Sequence, residues 1–352
     1  MKAYELRGGF GIESLQLIDR PQPQPGPGQA MLKLRAWSLN YRDLMIVKGL
    51  YDPKLHLPFT PLSDGVGEVV AVGDGVTRVK TGDRVAPIFM QKWIDGELTE
   101  AKARSALGGA IKGLLAEYAV LDEDGVVHVP EHLSDEEAAT LPCAAVTAWH
   151  ALVTKGAVAA GNTVLVQGTG GVSLFALQFA RLRGARIIAT SSSAAKLARV
   201  LALGASDGVN YRTTPEWGQR VRELTGGAGV DHVVEVGGAG TFRESLRAVR
   251  MGGRISLIGV LSGPGRVDPT PILMKNVCVQ GIFVGSRAMF EAMNATIAMQ
   301  QLRPIVDRVF GFEEVQEAFR YMESGSHFGK IGVRPLCPTS GNGSDADRRW
   351  QM

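Results

Sequence analysis

The run Val164-Leu165-Val166-Gln167-Gly168-Thr169-Gly170-Gly171-Val172-Ser173 decides the fold class. An apolar strand pattern leads into a glycine turn. Behind the turn, Leu174–Arg183 spaces its apolar residues as a buried crossover helix does. Gly168 permits the tight turn and Gly170 lets backbone approach a pyrophosphate. Gly171 and Val172 open the helix as part of the same candidate phosphate site. Ser173 is small enough for the helix to pack on its strand. The free N–H groups and dipole of a helix start suit phosphate. A glycine turn of purely structural use is the competing reading, and the surrounding sequence argues against it.

Downstream, strand-like runs alternate with helical patterns, the sign of a parallel α/β sheet. After Val164–Gln167 come Arg186–Thr190, Gly208–Tyr211, Val230–Val236, Arg254–Val260 and Val277–Val284. Six such strands predict a doubly wound dinucleotide-binding fold. A site that prefers NAD carries Asp or Glu about twenty residues past the glycines. Here Ser191, Ser192 and Ser193 stand there instead, with Lys196 close by and Tyr211-Arg212 closing the third strand. Hydroxyls and cations favour NADP, with NAD as the alternative. Ligands of such sheets lie beyond the strands' carboxyl ends, which nominates Gly237, Gly259-Val260-Leu261 and Val284-Gly285-Ser286 to face the nicotinamide.

Upstream the rhythm is different. Gln29–Ala36 alternates apolar and polar residues, and Asp64–Ile88 reads as further short strands joined by glycine turns, predicting an all-β barrel-like unit. Pro21 to Pro27 reads as a stiff connecting loop ahead of a strand. A helix-like stretch, Leu141–Leu152, bridges the two units. Past Ser286 the pattern reads as a helix over Met289–Gln301, a helix over Phe312–Glu323 and a strand over Gly329–Val333. From Pro338 onward the chain is Gly/Ser-rich and polar, predicting a mobile tail.

At 352 residues the chain exceeds one comfortable core. A formal net charge of +3 gives no footprint for nucleic acid, and no apolar run is long enough to span a bilayer. Three widely spaced cysteines make no disulfide framework and fit a reducing, cytoplasmic setting. None of the six histidines pairs at ligand spacing, and no hydrolase or P-loop motif occurs.

Ser38-Leu39-Asn40-Tyr41-Arg42-Asp43, Pro61–Gly73, Gly82–Val85, Gly168–Val172, Gly281–Arg287 and Gly329-Lys330-Ile331 together resemble the medium-chain dehydrogenase/reductase superfamily. The resemblance implies a GroES-like β-barrel catalytic domain over residues 1–144, completed by 286–337. It also implies a Rossmann domain over 145–285, a homodimer, and Lys330 near the cofactor. The apolar sixth strand supports the dimer physically, since pairing across a twofold axis would cover its edge.

The superfamily's zinc enzymes hold catalytic metal with Cys, a His-Glu pair and a second Cys. Those positions are here Asn40, Ser63-Asp64 and Cys143. The structural zinc lobe needs four close cysteines, and none precedes residue 115. Zinc needs three good protein ligands, so neither metal is expected. The pattern looks most like the zinc-free quinone oxidoreductase branch. Without metal to lower an alcohol's pKa, reduction of a quinone or enone is the easier chemistry, with hydrogen bonds stabilising the oxygen that gains charge.

Asn40 is the first candidate donor, Tyr51 a donor or proton source, and Tyr41 a weaker candidate. Arg42 and Asp43 are expected to pair locally. Phe59, Phe89 and Trp93 are candidate pocket walls or plain core, and Arg287 a surface ion pair. An alcohol or carbonyl dehydrogenase is the rival enzyme, and a nucleotide-binding protein without catalysis the rival of another class.

Overall fold

The computed structural model describes residues 1–335. The tail expected beyond Pro338 lies outside the described residues.

Six parallel strands form one sheet in the order Asp207–Asn210, Arg186–Ser191, Thr163–Gln167, Val230–Glu235, Val249–Leu257, Cys278–Gly281. In chain order that is 3-2-1-4-5-6, the doubly wound arrangement the sequence predicts. Helices cover both faces, so consecutive mid-strand residues are apolar and buried rather than alternating with polar ones. Leu165, Val166, Ile187, Ile188, Val233, Val234 and Ile255 are all 0–1% exposed. The crossover helix spans Gly171–Leu182 and buries Leu174, Phe175, Ala176, Leu177, Phe179 and Ala180. No helix among the described residues is long and apolar enough to cross a membrane.

A second, seven-stranded sheet draws on both ends of the chain. Its path runs Val306–Gly311, Lys330–Arg334, Gln29–Leu39, Asp64–Val72, Arg84–Pro87, Val126–His128, and Tyr118–Asp122 pairs beside Gln29–Leu39. Two register shifts between Gln29–Leu39 and Asp64–Val72 bend the long strand. The strand Val306–Gly311 escaped the sequence reading because polar Asp307 and Arg308 break its apolar pattern. Its parallel partner Lys330–Arg334, not its own composition, makes it a strand.

Two sequence expectations need correction. The bridge is no uniform helix: π-helical turns over Leu141–Ala145 and His150–Thr154 flank a single α turn, Val146–Trp149. The sixth strand is only Cys278–Gly281. Val277, Ile282 and Val284 beside it are 5–7% exposed, so much of that apolar run serves this chain's own core.

Candidate active site

Helix Tyr41–Val47 begins at Asn40, whose backbone N–H donates to Asp43 Oδ2 at 2.8 Å. Asp43 is fully buried, and burial raises its pKa against the opposing pull of Arg42. Arg42 pairs with it at 3.5 Å and donates to the Leu107 carbonyl at 2.5 Å. The expected local pairing of Arg42 and Asp43 is therefore present. It fixes the turn that carries Asn40.

The three positions at which related zinc enzymes carry ligands do converge, around an ammonium. Lys330 Nζ donates to Asn40 Oδ1 at 2.6 Å and to the Leu39 carbonyl at 2.7 Å, and lies 4.0 Å from Asp64 Oδ2. Asp64 Oδ1 accepts from Ser63 Oγ at 2.8 Å, and Oδ2 accepts from the Cys143 N–H at 3.2 Å. Burial pushes the Cys143 thiol upward, so it stays protonated and is a poor nucleophile or ligand. An amide oxygen and a carboxylate already facing a lysine, with a hydroxyl and a neutral thiol, are not a zinc donor set. The residues present do not fit the metal.

Burial raises Asp64 to about 6, with the Lys330 charge pulling the other way. The folded carboxyl thus holds its proton at pH values where the unfolded one, near 3.8, has lost it. Its contribution to stability is full below the unfolded pKa and is lost as pH rises through about 6. Over that window the loss is ~3 kcal/mol. Asp64→Asn cannot titrate, so its stability relative to wild type should improve between pH 4 and pH 7. Urea unfolding at both pH values checks this, and a difference that does not change with pH would contradict it.

At the dinucleotide turn, Gly168 has φ +69°. A Cβ on Gly168 or Gly170 would meet nothing within 4 Å, which leaves backbone open to an approaching phosphate chain. The residues fit a bound dinucleotide. When bound, a nicotinamide dinucleotide supplies or accepts hydride. Gly171 has a different reason: its Cβ would lie 2.5 Å from Lys330 Cδ, so the glycine makes room for the lysine stem.

Other nominated glycines are likewise demanded by packing. A Cβ on Gly237 would strike Thr241, on Gly259 the Val236 carbonyl, and on Gly285 Val146. Ser286 caps the helix Arg287–Gln300, accepting from the Met289 N–H at 3.3 Å. Val284 holds φ +55°, a costly conformation for a β-branched residue, while its carbonyl meets His150 Nδ1 at 2.7 Å. Val260 and Leu261 are 57% and 50% exposed in the loop beyond the fifth strand.

Around the second strand's end, Ser191 is buried and Ser192 half-buried, while Tyr211 is exposed beyond the neighbouring strand. Lys196 is already engaged: its ammonium donates to the Gly325 and His327 carbonyls at 2.7 and 2.8 Å, leaving one of its three donors. Tyr51 borders a cavity of about 320 Å³ with Arg42, Ala106, Gly109 and Phe283. Arg42 stacks over Phe89 at 4.2 Å and lies 5.9 Å from the Tyr51 ring. Tyr41 is 45% exposed on the first turn of its helix and is not gathered with this group. Phe59 and Trp93 are core residues, and Arg287 forms an ion pair with Asp124 at 2.7 Å.

Sequence reasoning missed Glu235, which ends the fourth strand with no exposure at all. Oε1 accepts from the N–H groups of Gly237 and Gly238 at 2.8 and 3.0 Å, and from Thr241 Oγ1 at 2.6 Å. Oε2 accepts from Gln167 Nε2 at 2.8 Å and from Ser245 Oγ. Gln167 immediately precedes the glycine turn, so this carboxylate ties that turn to the loop after the fourth strand. An acid directly after the apolar pair Val233-Val234, at the strand's carboxyl end, was the available signal.

Two family models match the chain: the alcohol dehydrogenase GroES-like domain over residues 26–131 and the zinc-binding dehydrogenase over residues 171–299. A zinc-type alcohol dehydrogenase-like protein of Schizosaccharomyces pombe is 45% identical over 87% of this chain and 90% of its own length. The human quinone oxidoreductase is 29% identical over 85% of this chain and 86% of its own. A solved NAD-dependent alcohol dehydrogenase, 36% identical, superposes with a TM-score of 0.87 over 96% of this chain and 100% of its own. The chain belongs to the medium-chain dehydrogenase/reductase superfamily. Within it, the chain is an NAD(P)-dependent oxidoreductase built from a GroES-like domain and a Rossmann-like parallel sheet.

Proposed function

We propose that the chain is a metal-free reductase that uses NADPH to reduce quinones, enones or related carbonyl compounds. One observation carries this reading. Asn40 is 8% exposed, and its buried Nδ2 makes no hydrogen bond of good geometry, although its side chain reaches toward the Asp64 carboxyl. Leaving a buried donor unpaired costs about 1–3 kcal/mol. A substrate oxygen is the acceptor that offsets the cost, more strongly once that oxygen gains negative charge. Hydride addition to an enone or quinone generates such a charge. Asn40 binds the oxygen, Phe283 and Ala106 of the cavity at Tyr51 take the apolar part, and Tyr51, 44% exposed, returns the proton.

The test is chelator-treated protein with NADPH, then NADH, against quinones, enones and aldehydes. Turnover of quinones or enones with NADPH, indifferent to chelator, is expected. Alcohol oxidation that appears only on adding zinc would refute the reading.

Preference for NADPH is supported by the absence of a carboxylate at Ser191-Ser192-Ser193. Ser192→Asp should raise the KM for NADPH by at least about tenfold, through repulsion of the 2′-phosphate, and leave that for NADH little changed. Steady-state kinetics with both cofactors checks it. Equal effects on the two would remove the NADP assignment.

Residues 1–144 with 286–335 are the catalytic unit in this reading, and 145–285 the nucleotide unit. The free thiols of Cys143 and Cys278 agree with a reducing cytoplasm. We also place a second copy on the edge at Cys278–Gly281, beside helix Thr270–Met274, whose Leu273 and Met274 are 79% and 70% exposed. Sedimentation velocity decides between dimer and monomer.

A further inference from the structure

Lys330 joins the two halves of the site. Its side chain is 4% exposed. Its stem fills the space that a Cβ on Gly171 would need, against the first residue of the dinucleotide helix. One residue earlier, the Gly329 N–H donates to the Thr169 carbonyl at 2.8 Å, pinning the strap to the glycine turn itself. Gly329 has φ +90°, and a Cβ there would lie 2.4 Å from the Ile305 carbonyl, so no other residue fits this path. The ammonium emerges on the far side, where it grips the Leu39 carbonyl and Asn40 Oδ1.

An ammonium has three donors and no acceptor. Facing it, a carboxamide can present only its oxygen, because the flipped orientation would set N–H against N–H and leave the charge unpaired. We propose that Lys330 is the positioning residue of the oxygen-binding site, holding Oδ1 of the Asn40 carboxamide so that Nδ2 is the edge turned away from the ammonium. The other charged groups around it hold it in place. Asp64 lies 4.0 Å from the ammonium and also takes a hydrogen bond from the Asn40 side chain, so it shares in orienting the amide; Asp43 and Arg42 pair with each other at 3.5 Å. Where related enzymes set a metal ion, this chain sets a tethered monovalent cation that cannot bind substrate by coordination but can orient an amide that does. The inference rests on the reading of Asn40 given above, and extends it to a residue 290 positions away in the chain.

The test uses the full chain with Lys330→Met, and with Lys330→Gln should the first fail to fold. Both remove the charge, and glutamine offers an oxygen that would let the Asn40 amide flip. Expected is a ~10–100-fold fall in kcat with NADPH affinity within about threefold of wild type. Combined with Asn40→Ala, the loss should be no greater than that of Asn40→Ala alone, to within about threefold, since both changes disable one device. Fully additive losses would overturn the proposal.

A second readout needs no turnover. The chain has six asparagines, so selective ¹⁵N labelling gives few carboxamide signals, and Asn40→Ala identifies the one required. That signal should move on loss of the Lys330 ammonium. An unmoved Asn40 signal would overturn the proposal even if no quinone or enone proves to be a substrate, and a moved one would uphold it in that case.

Discussion

Asn40→Ala should lower kcat for quinone or enone reduction by ~10²–10³-fold, the usual cost of removing one preorganised donor to a developing oxyanion. NADPH binding should change little, because the phosphate turn at Gly168–Gly170 lies on another element. The substitution removes only side-chain atoms beyond Cβ. The backbone N–H bond to Asp43 Oδ2 at 2.8 Å survives, and with it the start of helix Tyr41–Val47. Lys330 loses one acceptor but keeps the Leu39 carbonyl and the Asp64 charge, so a stability loss of about 1–2 kcal/mol is expected. Stopped-flow transfer from NADPH on protein shown to be folded separates the two effects. A rate within threefold of wild type would mean that Asn40 only shapes the turn.

Glu235→Gln should be the most damaging single-atom change in the nucleotide sheet. The carboxylate accepts from five donors and donates to none. In the amide, one oxygen can still serve the Gly237, Gly238 and Thr241 donors. The new N–H₂ then faces Gln167 Nε2, and Gln167 cannot simply flip, because its Oε1 accepts from the Val236 N–H at 3.3 Å. Ser245 can rotate to accept and recover part of the loss. A stability cost of about 2–4 kcal/mol follows, comparable with a large part of a domain's total. Weaker dinucleotide binding should accompany it, since both loops tethered by Glu235 border the glycine turn. Urea unfolding and cofactor titration measure the two. Wild-type stability in the variant would show that the Gln amide reproduces these bonds and would overturn the expectation.

The nucleotide sheet was legible because its signals are local. Thr163–Gln167, Arg186–Ser191 and Val230–Glu235 hold short apolar runs separated by helical periodicity, and each of the six strands was found at least in part. The ends were less so: the fifth strand runs Val249–Leu257 rather than Arg254–Val260, and the sixth is only four residues long. Hydrogen bonding to a neighbour sets those limits, and a neighbour's register is not written in a strand's own residues.

Residue types alone nominated Asn40, and the missing cysteine and histidine ligands alone carried the expectation of no zinc. The reasons for many glycines were not. Gly168 and Gly170 face open space as a cofactor site requires, whereas Gly171, Gly237, Gly259 and Gly285 are small because another part of the chain stands against them. Lys196 looked like a phosphate ligand, yet most of its donors go to the carbonyls of Gly325 and His327, about 130 residues on.

Sequence by itself determined the class of sheet, the position of the glycine turn and the nomination of Asn40, because periodicity, turn chemistry and residue type are properties of short segments. Tertiary structure alone decided what surrounds that residue. Lys330 meets Asn40 across 290 positions, Cys143 meets Asp64 across 79, and Gln167 meets Glu235 across 68. Such pairings are set by which strands lie side by side, and a buried charge takes its partner from whatever the fold brings within hydrogen-bond reach.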